Sequence, residues 1–209
     1  MRLPITPANT LLRELRGELR QLYPAGRIVV AIDGIDAQAV DAFASQFVQI
    51  IEEDNVAAFH ARLRDFHLSR ADQAERGVIV DEDAVRRALI DPFRSGALDS
   101  ATSGFQLGTW DANRDAPLES RWVTAPADAV LVLSGTGVLA PELRGLANWS
   151  IWLETAENAL AHRPGRTAER PYTDAEFAYL KNAKPAGVAS VMVDNTNPAV
   201  PTQIYRDFC

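Results

Sequence analysis

Five consecutive apolar residues, Ile28-Val29-Val30-Ala31-Ile32, run into Asp33-Gly34, and a helical pattern begins at Ala37. Four of the five are β-branched, which suits a strand, and an uninterrupted apolar run suits a strand buried on both faces. Such a strand needs helices above and below it, so this stretch alone points to an α/β chain with a parallel sheet. From Ala37 to about Glu53, Val40, Phe43, Phe47, Ile50 and Ile51 fall on one helical face, with Asp36 placed to cap the helix.

A strand, a tight turn and a helix N-terminus together make a phosphate-holding arrangement, whose P-loop form reads GxxxxGK[ST]. Gly34 supplies the first glycine. Ala39 stands at the second, Val40 at the lysine and Asp41 at the hydroxyl residue. Val40 brings no charge, and a carboxylate at Asp41 repels phosphate at close range.

The remaining pattern repeats the strand–helix alternation. Thr10 to Leu22 predicts an amphipathic helix on Leu11, Leu12, Leu15, Leu19 and Leu22, capped by Asn9 or Thr10. Strands are predicted at 56–63, 129–133, 149–153 and 188–193, with an edge strand at 202–208. Helices are predicted at 81–89, ending before Asp91-Pro92, at 154–163, and at 173–182 with Thr173 as its cap. Segments 105–110 and 119–124 predict a hairpin, and 141–146 a helical turn or two. The polar stretch 163–172, with Arg163, Arg166 and Arg170, reads as a mobile loop. The expectation is one domain over 1–209, with an N-terminal helix in 1–26, a β-hairpin insert at 104–125 and a lid-like loop at 163–172.

Charge and composition narrow the function classes. A net charge of −7 argues against nucleic-acid and anionic-membrane partners. The chain holds only two lysines, Lys181 and Lys184, both far along the sequence from Gly34. Its one cysteine, Cys209, allows no internal disulfide, though it could pair between chains, and the scattered His60, His67 and His162 do not make a metal site. No membrane-length apolar run and no signal-peptide pattern are present, so a cytoplasmic protein is expected.

Taken in order, these pieces resemble the uridine kinase and phosphoribulokinase family of P-loop kinases. The resemblance rests on Ala31-Ile-Asp-Gly-Ile35, on Asp65-Phe66-His67 with Ser69-Arg70, and on Ala88-Leu-Ile-Asp-Pro92 with Gly96. It continues through the segments around Trp110-Asp111 and Trp122, Val130 to Gly135 with Pro141-Glu-Leu143, Asn148 to Leu153, and Val191 to Thr196. It implies a three-layer α/β P-loop NTPase-like sandwich with a mainly parallel sheet and a small β-hairpin insert. It also implies a nucleoside side formed by Asp65, Phe66, His67 and Arg70, and a phosphate and lid side formed by Gly34, Asp36, Arg163, Arg166 and Arg170.

Phosphoryl transfer needs positioned phosphates, a metal and a proton acceptor. The resemblance places those roles where this chain has Val40 and Asp41, Arg64 at the base position, and Ser134 and Asn148 at acidic positions. An arginine cannot act as a base at neutral pH. Strand alternation would point Asp65 the other way. Arg64 is expected to reach across and pair with Asp36 or Asp41, so that the protein's own carboxylates occupy the place of phosphate.

The reading is a nucleoside-kinase-like chain without cofactor that binds a nucleoside, another small molecule, a protein partner or a second copy of itself. The alternative is an active ATP- and Mg²⁺-dependent nucleoside or metabolite kinase, with Lys184 or the lid arginines in place of the lost lysine.

Overall fold

The computed structural model describes residues 2–95 and 104–205. Gly96, Phe208 and Cys209 lie outside the described residues.

Strand β1 (Arg27–Gly34) is central. On one side it pairs in parallel with Ala129–Ser134, on the other with Trp149–Glu154. Helix α1 (Pro7–Leu22) precedes β1, and helix α2 (Ala37–Glu52) follows it. Strand β2 (Ala57–Arg62) passes through a 3₁₀ turn, Leu63–Phe66, to helix α3 (Arg70–Arg76). A helix over 82–95 leads to the insert, made of β3 (Phe105–Gln106), β4 (Trp110–Asp111), β5 (Ala116–Pro117) and β6 (Trp122–Val123). The sheet is completed by β7 (Ala129–Ser134), β8 (Trp149–Glu154), β9 (Val191–Asp194) and β10 (Thr202–Ile204). Its order is β10-β9-β8-β1-β7-β2, parallel except for the β10–β9 pair.

The period-2 alternation of β1 divides the core. Ile28, Val30 and Ile32 pack with Leu12, Leu15 and Leu19 of α1 and Phe43, Phe47, Ile50 and Ile51 of α2. Val29 and Ala31 face the opposite layer, where Val85, Leu89, Ile90 and Phe93 of the helix 82–95 pack with Phe66 and Phe105. Both faces of the sheet are therefore covered, as a parallel sheet requires. Among the described residues, no helix is long and apolar enough to cross a membrane.

Several expected boundaries move. Helix α1 starts at Pro7 with Thr6 as its cap, whose side chain accepts the Asn9 N–H, so neither Asn9 nor Thr10 is the cap. Proline at the first helical position has no N–H to leave unpaired. Residues 70–76, a polar stretch, form α3, capped by Ser69 and ended by left-handed Gly77. The helix at 82–95 runs through Asp91-Pro92 instead of stopping there, because Val85–Ile90 widens to a π turn. That widening eases the clash a proline ring makes with the carbonyl four residues back.

The hairpin divides into two short ladders, β3–β6 and β4–β5. Only Glu157–Leu160 of the stretch 154–163 is α-helical. Pro185–Val188 is a helical turn, so the next strand begins at Val191. The edge strand covers Thr202–Ile204. The helix Asp174–Ala183 opens with the expected Thr173, in a reciprocal capping box with Glu176.

Candidate functional site

The C-terminal ends of β1, β2 and β7 converge on the N-terminus of α2, the position at which open parallel sheets place ligands. Gly34 is needed there because a Cβ would lie 2.8 Å from the Leu153 carbonyl oxygen and 2.9 Å from Val40 Cγ2. Val40 is 1 % exposed and packs with the α2 core.

Asp36 closes the turn from within. Its Oδ1 accepts the Ala39 N–H at 3.2 Å, and its carbonyl accepts the Val40 N–H at 2.9 Å. Its other carboxylate oxygen takes Arg163 Nη2 at 2.5 Å and Nε at 2.7 Å. The Ala39 N–H in the first turn of the helix and the lid-side guanidinium therefore both meet one buried carboxylate.

A second ion pair joins Asp41 Oδ1 to Arg62 Nε at 2.5 Å. The partner is Arg62 rather than Arg64. Arg62 is the last strand residue, on the edge facing α2, whereas the chain has already turned into the 3₁₀ segment at Arg64. Arg64 points to solvent with Asp65 at 3.8 Å as its ion-pair neighbour. The same 3₁₀ turn removes the strand alternation expected for Asp65. Its backbone carbonyl accepts the Thr109 N–H at 2.8 Å, and burial raises its carboxyl above the ordinary range, partly offset by Arg64 and Arg62.

Beside this pair, His60 Nε2 lies 2.7 Å from Ser134 Oγ, and His60 Nδ1 lies 3.2 Å from Ser45 Oγ. Burial lowers the His60 pKa, and Asp41 raises it in part. Gln38, Asp41, Arg62, Arg64, His67 and Ser134 line a cleft of about 450 Å³. Because Asp41 and Arg62 are each more than a third exposed, Asp41→Ala is expected to cost less than about 1 kcal/mol of stability. It should lower the His60 pKa further by removing the nearby negative charge. Imidazole titration by NMR checks the second point, and an upward shift would contradict the arrangement.

The other expected site residues disperse. Phe66 is fully buried in the core rather than facing the cleft, because the 3₁₀ turn rolls its ring under the sheet. The Arg70 N–H donates to Asp115 Oδ1 and its guanidinium to the Asn113 carbonyl, which ties it to the tip of the insert. Asn148 lies at the opposite end of the sheet from Gly34. Its Oδ1 accepts the Val29 N–H at 2.8 Å, a backbone role remote from any phosphate position.

The loop 163–172 is tied down rather than free. Arg166 makes a two-pronged pair with Glu176 at 2.7 and 2.9 Å, with both side chains under a fifth exposed, and Arg170 pairs with Asp174 at the surface. Lys184 occupies a helix C-cap at φ 48°. Among the described residues no cluster of three or more His, Cys, Asp or Glu could hold a metal ion.

Asp33 holds these parts together, a role the sequence reading missed. Its Oδ1 accepts the Gly34 N–H at 2.7 Å and the Gly137 N–H at 3.2 Å. Its Oδ2 accepts the Leu139 N–H at 2.7 Å and the Tyr179 hydroxyl at 2.6 Å. Burial pushes the carboxyl up to about 6 against the pull of these four donors, and burial together with Asp33 raises the Tyr179 phenol. The available signal was an acidic residue closing a wholly apolar strand.

No protein-family model matches the chain, and no curated protein matches it. Solved structures do. A possible uridine kinase from Bacillus stearothermophilus aligns with TM-score 0.61 at 20% identity, over 86% of this chain and 98% of its own. A candidate fructose transport system kinase from Silicibacter aligns with TM-score 0.56 at 20% identity, over 89% and 96%. The chain therefore has the α/β fold of the uridine kinase-like P-loop kinases, with a mainly parallel central sheet and small antiparallel sheets.

Proposed function

We propose that this chain is a nucleoside-kinase-like protein that has lost ATP-dependent phosphotransfer and works as a pseudoenzyme binding a small ligand or partner. One observation carries the reading: Asp36, held by Arg163, occupies the N-terminus of α2 where a nucleotide would place its phosphates. A phosphate brought there would face a buried carboxylate and would have to displace its guanidinium. Position 40 adds no cation, because it holds a buried valine. The residues present do not fit a triphosphate. The cleft of about 450 Å³ beside them has the size of a small-molecule site.

Calorimetric titration of the full chain with ATP–Mg²⁺ should give no saturable binding into the millimolar range. Micromolar affinity, lost on changing Gly34 or Asp36, would overturn the proposal. A thermal-shift screen with nucleosides and sugar phosphates separates the two remaining roles. Stabilisation without ATP supports ligand binding, and a flat screen supports a protein partner.

A further inference from the structure

Ser134 ends β7 on the face turned toward α2, because Val130 and Val132 of the same alternation lie in the α2 core. The residue lines the cleft of about 450 Å³ at the C-terminal end of the sheet. Its Oγ stands 2.7 Å from His60 Nε2, and the other ring nitrogen, Nδ1, stands 3.2 Å from Ser45 Oγ on α2. Phosphoryl transfer calls on neither the histidine nor this pairing.

We infer that Ser134 is an acyl-accepting nucleophile with His60 as its base, and that the cleft takes small carboxylic esters. A hydroxyl within hydrogen-bond reach of an imidazole, itself held by a third group, is the arrangement that activates a serine. The tautomer that serves has Nδ1 donating to Ser45 Oγ and Nε2 accepting the Ser134 hydroxyl. Burial holds His60 below the ordinary imidazole range, so the ring is neutral at pH 7 and able to take a proton. The charged groups acting on it are Asp41 of α2, with Oδ1 at 3.7 Å from Nε2, and Arg62 of its own strand. Asp41 favours the imidazolium once the proton has moved.

The Gly135 N–H, next to the nucleophile, is spent on the Ile32 carbonyl at 3.0 Å and cannot hold an oxyanion. Ala37 and Gln38 line the same cleft as the first two residues of α2, and N–H groups at those positions have no acceptor inside the helix. Asp36 Oδ1 takes the Ala39 N–H and leaves these two to face a carbonyl oxygen. The polar walls, with Gln38, Arg62, Arg64 and His67, suit a short acyl group rather than a long alkyl chain.

Ser134 Oγ attacks the ester carbonyl carbon while its proton passes to His60 Nε2. The carbon–oxygen bond to the alcohol breaks, and the alcohol leaves with that proton. Water then attacks the acyl carbon and gives a proton to His60. The bond from carbon to Oγ breaks, the proton returns to Ser134, and the acid is released. This assignment rests on the proposed small-ligand role of the cleft and names its ligand class.

The test uses the full chain with p-nitrophenyl acetate and with a fluorophosphonate probe. The ester should be cleaved faster than by heat-unfolded protein, and the probe should label Ser134, located by peptide mass mapping. Ser134→Ala and His60→Asn should each slow cleavage at least about a hundredfold. The rate should fall in acid as His60 protonates, at a pH below the ordinary imidazole range. Ser45→Ala should lower kcat several-fold at unchanged KM, and Ser45→Thr, which keeps the hydroxyl, should restore it. No label on Ser134, or undiminished cleavage in Ser134→Ala, overturns the inference. If Ser134→Ala does not fold, mapping on the unsubstituted chain decides alone. Binding of ATP–Mg²⁺ in the separate titration would overturn the loss of phosphotransfer and leave a labelled Ser134 standing. If neither ATP binds nor Ser134 is labelled, this inference alone fails.

Discussion

Asp33→Ala is expected to lower the unfolding free energy by about 3–5 kcal/mol, because it strips the acceptor from three backbone N–H groups and one hydroxyl in a dry site. Relief from burying a charge offsets part of the loss at neutral pH, so the figure is below the sum of four orphaned donors. The damage should extend beyond β1. Residues 137–139 and the helix Asp174–Ala183 hang on the same carboxylate, and their amide exchange should quicken together.

The same residue carries a pH signature. Its carboxyl titrates at about 6 in the fold against an ordinary 3.8. The folded state therefore keeps this proton over a range in which the unfolded chain has lost it. That stabilising contribution is complete below about pH 4 and is lost as pH rises through 6, a swing on the order of 3 kcal/mol. Urea unfolding of the chain and of Asp33→Asn across pH 4 to 7 isolates it. The difference between the two should change over that window. A constant difference would mean the carboxyl is not perturbed.

Phe105→Ala is expected to cost about 3–5 kcal/mol. Phe105 is fully buried and meets Phe59 edge-on at 5.1 Å and Phe93 edge-on at 5.3 Å. It is the point where the insert grips both β2 and the helix 82–95. Removing the ring opens a cavity and deletes two aromatic contacts at once. Denaturant unfolding should show a lowered midpoint at an unchanged slope. A loss under 1 kcal/mol would mean that the insert closes over the gap and that the three rings do not clamp it.

The central elements were legible because their signals are local. An apolar β-branched run, a 3.6-residue apolar face and an aspartate before a helix identify β1, α2 and the Asp36 cap from neighbouring residues alone. What escaped depended on distance along the chain or on a change of helical type. The choice of Arg62 over Arg64 turns on where β2 gives way to a 3₁₀ segment, a matter of one or two residues. Asn148 could be placed only after the β1–β8 register showed it against Val29, at the wrong end of the strands for phosphate chemistry. Asp33 reads locally as a turn residue, and its donors arrive from residues 137, 139 and 179. Arg163 could be recognised as a lid-side arginine, but not as the partner of Asp36, more than a hundred residues earlier.

The central position of β1 also sets a schedule for folding. Arg27 pairs with Ala129, about a hundred residues later, and Val30 with Trp149. At 5–20 residues per second on the ribosome, this strand with its five consecutive apolar residues waits roughly 5–20 s for its first parallel neighbour. During that interval α1 and α2 can shield one face, but both hydrogen-bonding edges stay open. The nascent chain is therefore most exposed to aggregation before β7 emerges, and a ribosome stall upstream of residue 129 should increase chaperone capture more than one placed after β8.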